Sequence, residues 1–81
     1  MDLQEIREEI DKIDRDIIRL LEKRMNLALN AKALKSKIED RSREGEIFIK
    51  LKKLSVNSPS SQFYLKMYEM IIEESKRRQS L

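Results

Sequence analysis

One long apolar stripe limits what this chain can fold into. Counted in steps of three and four from Ile6, apolar residues recur at Ile10, Ile13, Ile17, Leu20, Leu27, Ala31 and Leu34, with Arg24 interrupting the series. This is helical periodicity sustained over more than about four heptads. Asp2 followed three residues later by Glu5 makes a capping-box start, so a first helix is expected from about Leu3 to about Ser36. About 34 residues at 1.5 Å each span about 51 Å, whereas a compact globule of this length has a radius of gyration of about 12 Å. The helix must overshoot its own domain and leave apolar surface for another chain. An intertwined two-fold homodimer is the simplest closed arrangement.

The rest of the chain also reads as helix. Ile47, Phe48, Leu51 and Leu54 mark a second helix over about Ser42 to Leu54. "SVNSPSS" at 55–61 is the one clear loop, and Ser58 before Pro59 supplies an N-cap and an N1 proline for a third helix over about 59–79. Its stripe is Tyr64, Met67, Tyr68 and Ile71. No Gly or Pro separates the first two helices, but at about 100° per residue Ile47, Leu51 and Leu54 would point away from the Ile6 stripe. A chain reversal near 37–41 lets both stripes face one core. The fold class is therefore all-α, with one long and two shorter helices in a single domain over residues 1–81.

A chain of 81 residues buries a small fraction of its surface and usually needs a further source of stability. With no Cys there is no disulfide, and with no His either a zinc site is disfavoured. That leaves association with another chain. The acidic start "MDLQEIREEID" is unlike a signal peptide and no apolar run approaches a membrane span, so the expected location is cytoplasmic, away from membranes. The net charge is +3, but 15 acids are mixed with the cations along the whole length, which argues against a nucleic-acid partner.

Charged residues inside the stripes carry the functional signal. Arg24 lies at the centre of the first helix's apolar face, and Lys35, about 16 Å further along the axis, lies within about 20° of it. A buried charge needs an anionic partner. One reading pairs both cations with Asp or Glu of other helices, as polar seam positions in coiled coils do. The other reading uses the remaining helices. Arg43 and Glu44 lie on the side of Ile47, and the third stripe continues into Ser75 and Gln79 at steps of four. Arg24, Lys35, Arg43, Glu44, Ser75 and Gln79 can then line one polar pocket in an apolar bundle, with cations outnumbering anions and a carboxylate ligand implied. Without His or Cys there is no imidazole base and no thiolate, so the pocket suits a reaction that needs only orientation and charge stabilisation.

The segments "IREEIDKID", "LLEKRMNLALNAKALK", "DRSRE" and "MIIEESKRRQ" together resemble the all-helical chorismate mutases, small intertwined dimers of three-helix chains. The resemblance implies an isomerase of aromatic amino-acid (Phe/Tyr) biosynthesis, in the shikimate pathway, that converts chorismate to prephenate by a Claisen rearrangement with no cofactor. It also implies shared active sites. Arg7 would reach into the partner subunit's site, and Arg24 would come from the same subunit, each holding a carboxylate. Lys35 would contact a carboxylate and the ether oxygen, which Gln79 would meet from the other side. Glu44 would bind the substrate hydroxyl, assisted by backbone near Asp40, and Arg43 and Ser75 would complete the wall.

Two features qualify the match. The link from Lys35 to Asp40 is shorter than the family pattern by about one helical turn, which alters the loop beside Asp40. Gly45 interrupts a helix at a cost of roughly 1 kcal/mol relative to Ala and would permit close backbone approach. The alternatives are an isochorismate pyruvate-lyase of the same fold and a catalytically silent helical dimerisation or regulatory module. Association with another aromatic-pathway enzyme is a further expected partnership.

Overall fold

The computed structural model describes residues 1–34, 40–56 and 59–81, which form three helices and no strand: α1 (Leu3–Lys32), α2 (Arg41–Leu54) and α3 (Ser61–Gln79). Asp2 caps α1, its side chain accepting from the Glu5 N–H at 2.8 Å. The helix stops at Lys32, four residues before the expected Ser36, where the Leu34 N–H closes a tight turn onto the Ala31 carbonyl at 2.9 Å. Leu34 therefore leaves the stripe and is 91% exposed. Asp40 caps α2 by accepting from the Arg43 N–H at 3.0 Å, so α1 and α2 are separate helices. The expected reversal lies largely among residues 35–39, outside the described residues.

The start of α3 differs from the reading above. Pro59 lies in a turn, and the first helical bond runs from the Tyr64 N–H to the Ser60 carbonyl at 3.1 Å, which makes Ser60 the N-cap. Ser58 lies outside the described residues. Several serines in a row offer several capping positions, and sequence alone chose the wrong one.

α3 packs against both α1 and α2, which stand apart from each other across a cavity. The core is small: Met25, Leu51 and Ile71 are its buried apolar residues, joined by buried Ser55, Ser75 and Gln79. Met25 is off the isoleucine stripe, on a second line through Leu21 and Ala28 that faces α3. Leu54 is exposed where burial was expected. The buried line of α2 runs instead from Leu51 to Ser55, whose hydroxyl donates to the Leu51 carbonyl at 2.7 Å. Tyr64 is likewise outside the core, tilted against Phe63 with ring centroids 5.7 Å apart.

Every residue from Met1 to Leu20 is exposed. Ile6, Ile10, Ile13, Ile17 and Leu20 are 42–57% exposed on the half of α1 that extends past the other helices. The molecule measures 52 × 29 × 15 Å, with a radius of gyration of 15.6 Å. The overshoot inferred from helix length is thus a property of the fold.

Candidate active site

A cavity of about 350 Å³ opens where the three helices meet. α1 contributes Arg24, Leu27, Ala28 and Ala31, α2 contributes Arg43, Glu44 and Ile47 with Asp40 at its cap, and α3 contributes Ile72, Ser75, Lys76 and Gln79. Six of the eight expected site residues are therefore brought together: Arg24, Asp40, Arg43, Glu44, Ser75 and Gln79. Lys35 lies outside the described residues. Arg7 is absent from the cavity wall, because it sits about 25 Å up α1 from Arg24 at 1.5 Å per residue.

Arg24 is half-buried, with its guanidinium carbon 5.8 Å from the centre of the Tyr68 ring. That cation–π contact steadies the side chain. Among the described residues no carboxylate pairs with it, so the coiled-coil reading of this arginine is not realised among them. Gln79 is 3% exposed, and its buried side-chain oxygen has no hydrogen-bond partner among the described residues. A buried amide oxygen left unbonded costs about 1–3 kcal/mol, and only a hydrogen-bond donor relieves it. A cation and an amide thus both line one open cavity.

The other groups are more occupied. The Ser75 hydroxyl lies 3.0 Å from the Ile71 carbonyl, its acceptor, and 3.2 Å from the Met25 sulfur, so its proton is used within the fold and its lone pairs remain. Asp40 serves first as the α2 cap. Arg43 pairs with Glu46 at 3.3 Å on an exposed face, an arrangement easily exchanged for a ligand. Glu44 lies 2.5 Å from the Lys76 ammonium, which ties α2 to α3 at the cavity wall. Among the described residues no group of three or more His, Cys, Asp or Glu is placed to hold a metal ion.

Just outside the cavity, Arg78 fastens α3 to α1. It donates to both Glu22 carboxylate oxygens at 3.0 and 3.1 Å and to Glu74 at 2.9 Å. Arg77 adds two more bonds to Glu74, at 2.6 and 2.8 Å. Hydrogen bonds from Arg77 and then Arg78 hold the Glu74 carboxyl down at about 2 from an ordinary 4.5, and the Arg78 hydrogen bond lowers Glu22. The network fixes the end of α3 that carries Ser75 and Gln79.

The sequence profile of one family, chorismate mutase type II, matches residues 6–80 and so takes in all three helices. The chain belongs to that family. It is 38% identical over 79 residues to a bifunctional chorismate mutase/prephenate dehydratase of Buchnera aphidicola subsp. Schizaphis graminum (strain Sg). The alignment covers 91% of this chain and 20% of that relative, so the chain spans about a fifth of the relative's length. No solved structure matches at a significant level.

Within the family frame, two contributors escaped the sequence reading. Lys76 stands in the basic run Lys76-Arg77-Arg78, where nothing in the composition separates a cavity cation from solvated ones. Its spacing of four from Ile72 and three from Gln79 was the available signal. Tyr68, a member of the third helix's apolar stripe, also forms the surface on which Arg24 rests.

Proposed function

We propose that this chain is a chorismate mutase that rearranges chorismate to prephenate in the cavity between α1, α2 and α3. The observation that carries the reading is Arg24, a half-buried guanidinium without a carboxylate partner among the described residues, facing a cavity in a chain of this family. A dicarboxylate substrate supplies the missing anion. The silent-module alternative requires the buried cation to be neutralised by protein carboxylates, and for Arg24 that support is lacking.

The rearrangement is unimolecular, and the residues present suit it. The ether C–O bond breaks as a C–C bond forms between the enolpyruvyl arm and the ring. No proton is transferred and no nucleophile attacks. Arg24 holds one carboxylate and so folds the flexible arm over the ring, which supplies the orientation term. Negative charge gathers on the ether oxygen as its bond to the ring breaks. A donor aimed there stabilises the transition state more than the ground state. The resemblance gives that role to Lys35 together with Gln79, whose amide presents its N–H₂ to the ether oxygen. The Glu44 carboxylate accepts from the substrate hydroxyl, while Arg43 and Ser75 close the wall beside Asp40.

The working unit in this proposal is a homodimer. The exposed half of α1, from Ile6 to Leu20, is covered by the same segment of a second copy, and Arg7 of each copy enters the other's cavity. Residues 1–81 then form one chorismate-mutase-like helical domain per subunit, placed in the cytoplasm. No helix among the described residues is long and apolar enough to cross a membrane. The relative joins its chorismate mutase to a prephenate dehydratase, which supports association of this chain with another enzyme of aromatic amino-acid synthesis.

The test is direct. Purified protein mixed with chorismate should consume it and release prephenate in equal amount, far faster than buffer alone. Loss of chorismate at the buffer rate would refute the proposal. Pyruvate released from isochorismate faster than prephenate forms would replace it with the lyase.

A further inference from the structure

We propose that Lys76 is a positioning residue of this cavity, neutralising and fixing the Glu44 carboxylate so that a dianion is admitted beside it. The inference rests on the mutase reading above. Lys76 lines the cavity from α3, between Ser75 and Gln79, and its ammonium lies 2.5 Å from Glu44 Oε1 across the gap to α2. The two side chains are 32% and 20% exposed, and Oε1 itself is shut off from solvent.

Charge balance gives this contact its function. An enclosed carboxylate needs a counter-charge, and among the described residues Lys76 is the cation paired with Glu44. Arg24 rests on Tyr68 and Arg43 is engaged with Glu46. Without Lys76, Glu44 would present an uncompensated negative charge to a substrate carrying two of its own, and like charges brought together inside a binding site are strongly unfavourable. With it, one carboxylate oxygen is occupied and the second is left to accept from a substrate hydroxyl. Lys76 acts through Glu44 and need not touch the substrate.

A double-mutant cycle with steady-state kinetics tests this. Lys76→Met keeps the stem and removes the charge. It should raise KM for chorismate at least about tenfold, with kcat reduced less, because the lost effect is on admission of the dianion. Lys76→Arg should restore most of the loss. In a Glu44→Gln background, Lys76→Met should change KM by less than about twofold, since the charge it compensates is gone. Where a variant turns over too slowly, chorismate binding measured by calorimetry gives the same comparison, and Lys76→Gln replaces Lys76→Met if the latter does not fold. An equal loss in both backgrounds, or no rise in KM, would overturn the role of Lys76 while wild-type turnover still upheld the mutase reading. A wild-type protein without turnover would overturn both.

Discussion

At the scale of single residues, the proposed function rests on polar groups placed where helical periodicity calls for apolar ones. Arg24, Glu44, Ser75 and Gln79 were legible for that reason: each continues or interrupts a stripe, and the fold brings all four to one cavity. Residues off the stripe were not legible. Met25 is buried on α1's flank, and Lys76 is hidden among basic neighbours; both positions depend on how α3 settles between the other helices. The two accounts of Arg24 predict different mutants. Arg24→Ala should lower kcat/KM by about 10²–10³, yet change unfolding free energy by no more than about 1 kcal/mol, the worth of a partly exposed cation–π contact. Kinetics and urea unfolding on the same preparation measure both. A loss of several kcal/mol in stability with little effect on turnover would make Arg24 a structural residue.

At the scale of elements, existence and order of the helices were readable, and their ends were not. The stripe of α1 and the cap at Asp2 stand as expected, but α1 ends at Lys32 and α3 starts at Ser61. Serine-rich and unpunctuated junctions leave those boundaries to local hydrogen bonds rather than to pattern. Gly45 is another case: a Cβ built there meets nothing within 4 Å, so close approach within the chain does not explain it. Gly45→Ala should therefore stabilise the protein by roughly 0.5–1 kcal/mol, seen as a higher melting temperature. A lower one would mean that another chain approaches α2 at that point.

The α1–α3 clamp sets an acid limit on the same elements. Glu74 titrates near 2 when folded against an ordinary 4.5, so the folded state binds fewer protons in that interval. The clamp's contribution should be complete above about pH 4.5 and fall as pH drops toward about 2. Arg78→Met should flatten that part of the stability–pH curve, measured by chemical unfolding at several pH values. An unchanged acid slope would show that Arg78 does not govern it.

At the scale of the whole molecule, the decisive fact is that half of α1 belongs to no core of its own. A helix of 30 residues in a molecule 52 Å long has little to pack against over residues 1–20. This was the most legible feature of all, because it follows from helix length and stripe continuity alone. It was also the least complete, since one chain does not reveal which surface covers Ile6 to Leu20. Arg7 has the same standing: ordinary as an exposed helical arginine, and meaningful only if a second copy brings it to a cavity. The shared-site claim is tested by mixing Arg7→Ala and Arg24→Ala subunits after each is shown to be nearly inactive alone. Random exchange in a two-fold dimer makes about half the dimers mixed, each with one site free of both substitutions. Recovery of about a quarter of wild-type chorismate turnover is expected, and no recovery in dimers proven to be mixed would contradict the shared site.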